Sequence, residues 1–176
     1  MIVLEVSSFQ LDDALSFEPS ISILTNITPD HLDRYNYDLQ TYAKSKFQLL
    51  DFTPEDGHFI YCDDDPISRE FLQELDPEKD IRTTLLSVGI DSNAPVHRVA
   101  TYNENKITIT LNNEAMTIEE LAVQGKHNTY NSMAAGLSAT LLNVRNQTIR
   151  EKLKSCLLYT SPSPRDLSTS RMPSSA

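Results

Sequence analysis

Strand-like apolar runs at residues 21–27, 58–62 and 83–88 alternate with stretches that open on a capping aspartate, and this alternation confines the chain to an α/β architecture. Asp38 precedes a helical pattern over Leu39–Phe52. Asp65-Pro66 supplies a cap and a first-turn proline for a helix running through Leu75. Ile2-Val3-Leu4, a continuous apolar run ending in Glu5, predicts a central parallel strand covered on both faces. Thr28-Pro29 predicts that a short helix starts there. Beyond Val88 the pattern changes. Residues 96–102 and 106–111 alternate around Asn103-Glu104-Asn105, as in an antiparallel hairpin, and residues 115–123 add a third strand. Helices are expected over 128–142 and 148–155. The expected fold class is therefore α/β, a mostly parallel sheet flanked by helices with a small antiparallel sheet.

Composition narrows the function. The chain has 176 residues, 15 basic and 25 acidic, for a net charge of −10, which argues against a nucleic-acid partner. No apolar run is long enough for a membrane span, and only two cysteines, Cys62 and Cys156, occur. Two distant cysteines build neither a disulfide framework nor a zinc site, which suits a reducing cytoplasm. The four glycines, at 57, 89, 125 and 136, are too scattered to form a glycine-rich phosphate loop, so any nucleotide chemistry would need a phosphate cradle from outside the chain. From Tyr159 onward, 11 of 18 residues are Ser, Thr or Pro. Residues 157–176 resemble a translated cloning adapter and are expected to be a disordered tail, leaving 1–156 as the folded part.

Several residues stand where chemistry is expected. In open α/β sheets ligands bind outside the carboxyl ends of the strands, where Glu5, Ser7, Asp30 and His31 fall. On a helical wheel of Leu39–Phe52, Lys46 lies inside the apolar arc with Leu39, Ala43, Phe47 and Leu50, whereas Lys44 lies on the polar side. An ammonium in an apolar arc either snorkels to water or is a functional amine near a metal or a carboxylate. Asn128 and Asn131 share a helix face, fitted either to capping or to a purine edge.

Four motifs together carry a family resemblance. They are Glu5-Val-Ser7-Ser8-Phe9-Gln10-Leu11, Thr25-Asn-Ile-Thr-Pro-Asp-His31-Leu-Asp33-Arg34-Tyr35, Tyr42-Ala-Lys-Ser-Lys46, and Gly125-Lys-His127-Asn128-x-x-Asn131. In this order and spacing, over residues 2–155, the chain resembles the central domain of the Mur ligases. Phe9-Gln10-Leu11 and Asp33-Arg34-Tyr35 resemble the branch that adds D-glutamate to UDP-N-acetylmuramoyl-L-alanine in peptidoglycan synthesis. Another Mur ligase or a folylpolyglutamate synthase-like ligase is the alternative within the class. Outside it stand a metal- or nucleotide-binding domain without turnover and a catalytically silent interaction domain.

The resemblance implies an ATP-dependent amide ligase acting as a cytoplasmic monomer on two small-molecule substrates. It implies two Mg2+ ions, with Glu5 and His31 as metal ligands. It implies Lys46 N-carbamylated by carbon dioxide, Ser7 and Gln10 contacting the muramoyl substrate, and Asn128 and Asn131 lining the adenine pocket. The phosphate loop and the flanking domains of the family are not in these 176 residues, so the chain reads as an internal piece, expected to be inactive by itself.

Overall fold

The structure, a computed structural model, describes residues 1–29, 32–75, 77, 81, 83–90, 98–122 and 125–155. His31 and Asp30 of the second motif, the expected tail at 157–176, and parts of the strands expected at 96–102 and 115–123 lie outside the described residues.

Among the described residues six strands form one sheet in sequential order: β1 (Ile21–Leu24), β2 (His58–Cys62), β3 (Thr84–Gly89), β4 (Ala100–Asn103), β5 (Lys106–Leu111) and β6 (Glu114–Ile118). The pairs β1–β2, β2–β3 and β3–β4 are parallel, and the other two are antiparallel. The expected small antiparallel sheet is thus not separate. It continues the parallel sheet through two register pairs, Val88↔Ala100 and Gly89↔Thr101. Both hairpins turn on two residues at positive φ, Glu104-Asn105 (49° and 60°) and Asn112-Asn113 (51° and 65°), whose twist matches that of the flanking strands.

The helices are α1 (Ser8–Asp12), α2 (Leu39–Phe52), α3 (Pro66–Glu74), α4 (Lys126–Leu141) and α5 (Asn146–Lys154), with a 3-10 turn at Leu32–Tyr35. The caps read from sequence hold. Asp38 accepts from the Gln40 N–H at 3.0 Å and the Thr41 hydroxyl at 2.6 Å, and those bonds hold its carboxyl below the usual carboxylate range. Asp65 accepts from the Ser68 N–H at 2.9 Å.

Strand alternation assigns the layers. Phe59 and Tyr61 of β2 face a core with Tyr42, Ala43, Phe47 and Leu50 of α2. Ile60 and Cys62 face the opposite core with Tyr130, Met133, Ala134 and Leu137 of α4. The sheet is therefore sandwiched between α1, α2 and α3 on one side and α4 and α5 on the other.

Two expectations fail. Ile2, Val3 and Leu4 are not a buried strand; they are 85%, 84% and 63% exposed and carry no ladder. A strand offsets its ordering entropy through a partner ladder and covered faces, and β1, the first strand of the sheet, pairs only with β2. Thr28-Pro29 starts no helix, because both residues are irregular and the 3-10 turn begins at Leu32. The Asp65 cap yields a direct test: Asp65→Ala should cost about 1 kcal/mol in urea denaturation with an unchanged m-value, whereas Glu55→Ala, in the turn after α2, should change stability by less than about 0.5 kcal/mol.

Candidate functional site

The candidate residues fall into two groups on opposite faces of the sheet. On the α2 face, Ser7 and Gln10 close a reciprocal cap on α1. The Ser7 N–H donates to Gln10 Oε1 at 2.9 Å, and Ser7 Oγ accepts from the Gln10 N–H at 3.4 Å. Both side chains are exposed, and Glu5 is exposed in the irregular segment before them.

α1 is clamped to α2 by Asp12. Its carboxylate accepts from Ser45 Oγ at 2.7 Å, Gln48 Nε2 at 2.9 Å and the Tyr35 hydroxyl at 2.9 Å. Aromatic rings reinforce the clamp: Phe9 stacks on Tyr35 at 5.8 Å, and Tyr35 meets Tyr42 at 5.3 Å between centroids. Cations close both ends of this row. The Arg34 guanidinium lies 4.3 Å from the Phe9 centroid, and Lys46 Nζ lies 4.9 Å from that of Tyr42. Lys46 is half-buried and Lys44 exposed, as the wheel requires. Beside them an open groove of about 790 Å³ is lined by Asp12, Tyr35, Lys44, Ser45, Gln48 and Phe71, among others.

On the opposite face, Asn128 is half-buried and Asn131 exposed in the first turns of α4. The N-cap of α4 is Gly125 at φ 101°, so Asn128 lies inside the helix rather than at its cap. That backbone angle suits a residue without Cβ.

A third cluster was missed in the sequence. Asp63 and Asp64 directly follow β2, and the 5%-exposed Arg98 side chain bridges them: Nη2 donates to Asp63 Oδ2 at 2.9 Å and to Asp64 Oδ1 at 2.6 Å. Asp64 Oδ2 also accepts from the Ile90 N–H at 2.6 Å and the Tyr130 hydroxyl at 2.7 Å. Arg69 donates twice to the Asp63 main-chain carbonyl, at 2.9 and 2.7 Å. Asp63 Oδ1 is buried without a hydrogen-bond donor among the described residues, and Arg69 Nε stands 3.8 Å from it. Burial and the bond to Asp64 push the Tyr130 hydroxyl far above its ordinary pKa, so it stays protonated and donating. Burial alone would lower the Arg98 pKa, but the two carboxylates outweigh it and hold the guanidinium charged. A Cβ on Gly89 would collide with Arg98 Cζ, so the guanidinium occupies space that only glycine leaves open. The signal available in the sequence was an acidic run at the carboxyl end of a strand, read there only as a helix cap.

Among the described residues no group of three His, Cys, Asp or Glu is placed to hold a metal ion, and His31 lies outside those residues. Among the described residues no helix is long and apolar enough to cross a membrane.

A sheet sandwiched by helices, with Asp63 and Asp64 directly after the parallel strand β2, defines an α/β domain. The Mur ligase middle domain matches residues 1–139, and the chain belongs to that family. It is 44% identical over 155 residues to the UDP-N-acetylmuramoylalanine--D-glutamate ligase of Christiangramia forsetii, covering 87% of this chain and 34% of that one. It is 38% identical over 157 residues to the ligase of the same name from Salinibacter ruber, covering 87% and 33%. The chain thus spans about a third of the length of these relatives. Among solved structures, a UDP-N-acetylmuramoyl-L-alanyl-D-glutamate--2,6-diaminopimelate ligase superposes with a TM-score of 0.63 at 17% identity, covering 86% of this chain and 31% of that one. MurF from Acinetobacter baumannii superposes at 0.60 and 17%, covering 81% and 30%. At that identity the structures speak for the fold.

The Asp63–Arg98–Asp64 bridge makes a quantitative demand. Arg98→Met strands two buried carboxylates and should cost about 3–5 kcal/mol in urea denaturation. Lys106→Ala, which breaks the exposed pair with Glu119 at 3.4 Å, should cost less than about 1 kcal/mol. Similar costs for both would remove the bridge from its structural role.

Proposed function

We propose that this chain is the central segment of an ATP-dependent ligase that joins D-glutamate to UDP-N-acetylmuramoyl-L-alanine in peptidoglycan synthesis. The observation that carries the reading is the family match over residues 1–139, which includes every candidate from Glu5 to Asn131. In this reading the γ-phosphoryl group of ATP passes to the alanyl carboxylate, giving an acyl phosphate and ADP. The amine of D-glutamate attacks the carbonyl carbon, and the tetrahedral intermediate expels phosphate as the amine loses its proton.

The chain's own residues divide the work by face. Asn128 and Asn131 offer amide donors and acceptors to the adenine edge. Ser7 and Gln10 contact the muramoyl substrate, and their reciprocal cap fixes both side chains before substrate arrives. Glu5 and His31 as magnesium ligands, and Lys46 as a carbamate, stay with the motif resemblance. Glu5 lies exposed in an irregular segment, and His31 lies outside the described residues. Carbamylation would remove the positive charge and with it the cation–π attraction of Lys46 to Tyr42.

The test uses the full-length protein that carries this segment. Lys46→Ala should lower turnover by roughly 10²-fold or more, the scale for losing a preorganised electrostatic group, and added acetate or formate should restore part of it. Lys44→Ala, on the exposed side of the same helix, should change turnover little. Equal effects of the two substitutions, without carboxylate rescue, would remove Lys46 from the mechanism.

A further inference from the structure

The start of α4 is weak by local criteria. Gly125 caps it without a side chain, no acidic residue lies in its first turn, and Lys126 and His127 stand there instead. A positive charge opposes the helix dipole at this end, and the first N–H groups have no intrahelical acceptors. Such a start should fray unless tertiary contacts hold it. One does: Tyr130, 8% exposed, points into the sheet and donates its hydroxyl to Asp64 at 2.7 Å. Asp64 is itself fixed from two further directions, by Arg98 at 2.6 Å and by the Ile90 N–H at 2.6 Å.

We infer that Asp64 and Tyr130 are positioning residues that hold the first turns of α4 on the carboxyl edge of the sheet, and with them the amides of Asn128 and Asn131. Tyr130 lies between the two asparagines in sequence but on the buried side of the helix, so it touches the sheet while they remain accessible. The tether is rigid at both ends: Asp64 is locked by a buried guanidinium, and the ring of Tyr130 packs in the core with Met133 and Ala134. A site built on an untethered helix start would lose orientation with each fraying event. The adenine role of the asparagines rests on the proposed function above; the tether does not.

Amide hydrogen exchange of the chain itself reads the tether residue by residue. In the unsubstituted chain, the amides of residues 129–131 should be protected to within about tenfold of Leu137 in the middle of α4. Tyr130→Phe keeps the ring and deletes only the hydroxyl. It should lower protection at residues 129–131 by roughly tenfold or more, the scale for losing a hydrogen bond to a charged group. Leu137, Ile107 and Ile109 should change less than about twofold. Near-unprotected amides at 129–131 in the unsubstituted chain would overturn the inference. So would a Tyr130→Phe change that is absent there or uniform across α4, β5 and β6. Titrating adenosine onto the unsubstituted chain separates the two readings. If the Asn128 and Asn131 side-chain amide signals do not shift, the adenine assignment falls while the exchange pattern still decides the tether.

Discussion

A guanidinium closed off between two carboxylates fixes the carboxyl edge of the sheet. Arg98, Asp63 and Asp64 have side chains only 5%, 1% and 8% exposed, so each would carry a large desolvation penalty if left alone. The penalty is offset only when all three are together. That condition ties down what carries them: the residues after β2, the chain entering β4, and the end of β3 through the Ile90 N–H. Gly89 follows from the same requirement, since any Cβ there would collide with the guanidinium. Through Tyr130 the constraint reaches across to α4.

The other face of the sheet is organised by a different device. There a single carboxylate, Asp12, gathers Tyr35, Ser45 and Gln48, and a row of rings from Phe9 to Tyr42 runs between Arg34 and Lys46. Phe9, Arg34 and Tyr35 are the same residues that give the sequence its likeness to the D-glutamate branch of the family. Here they pack α1 and the 3-10 turn against α2 and place Lys46 at the end of the row. The residues proposed for the site divide between the two faces: the asparagines on α4, and Ser7, Gln10 and Lys46 at the cap of α1, on α1 and on α2.

What was legible in the sequence was local. Asp38 and Asp65-Pro66 announced their helices because a cap is satisfied within three residues of itself. His58–Cys62 was legible because an apolar run of that length has few alternatives to a buried strand. The half-buried placement of Lys46 followed from helical periodicity alone. The first strand was not legible, because Ile2-Val3-Leu4 states only that a strand would be buried and not whether a neighbour exists to pair with it. The Arg98 bridge was invisible for a related reason: its partners lie 34 and 35 residues away, and no local pattern marks an arginine as buried. Ser45 escaped notice likewise, a small polar residue whose burial is explained only by Asp12 of another helix.

The most direct test of the account is a double-mutant cycle on Asp64 and Arg98, with Asp64→Asn, Arg98→Met and the pair measured by urea denaturation. Because each charge is costly chiefly when the other is missing, the double variant should be less destabilised than the sum of the singles, by about 2 kcal/mol. Additivity to within about 0.5 kcal/mol would contradict the claim that this bridge holds the carboxyl edge together.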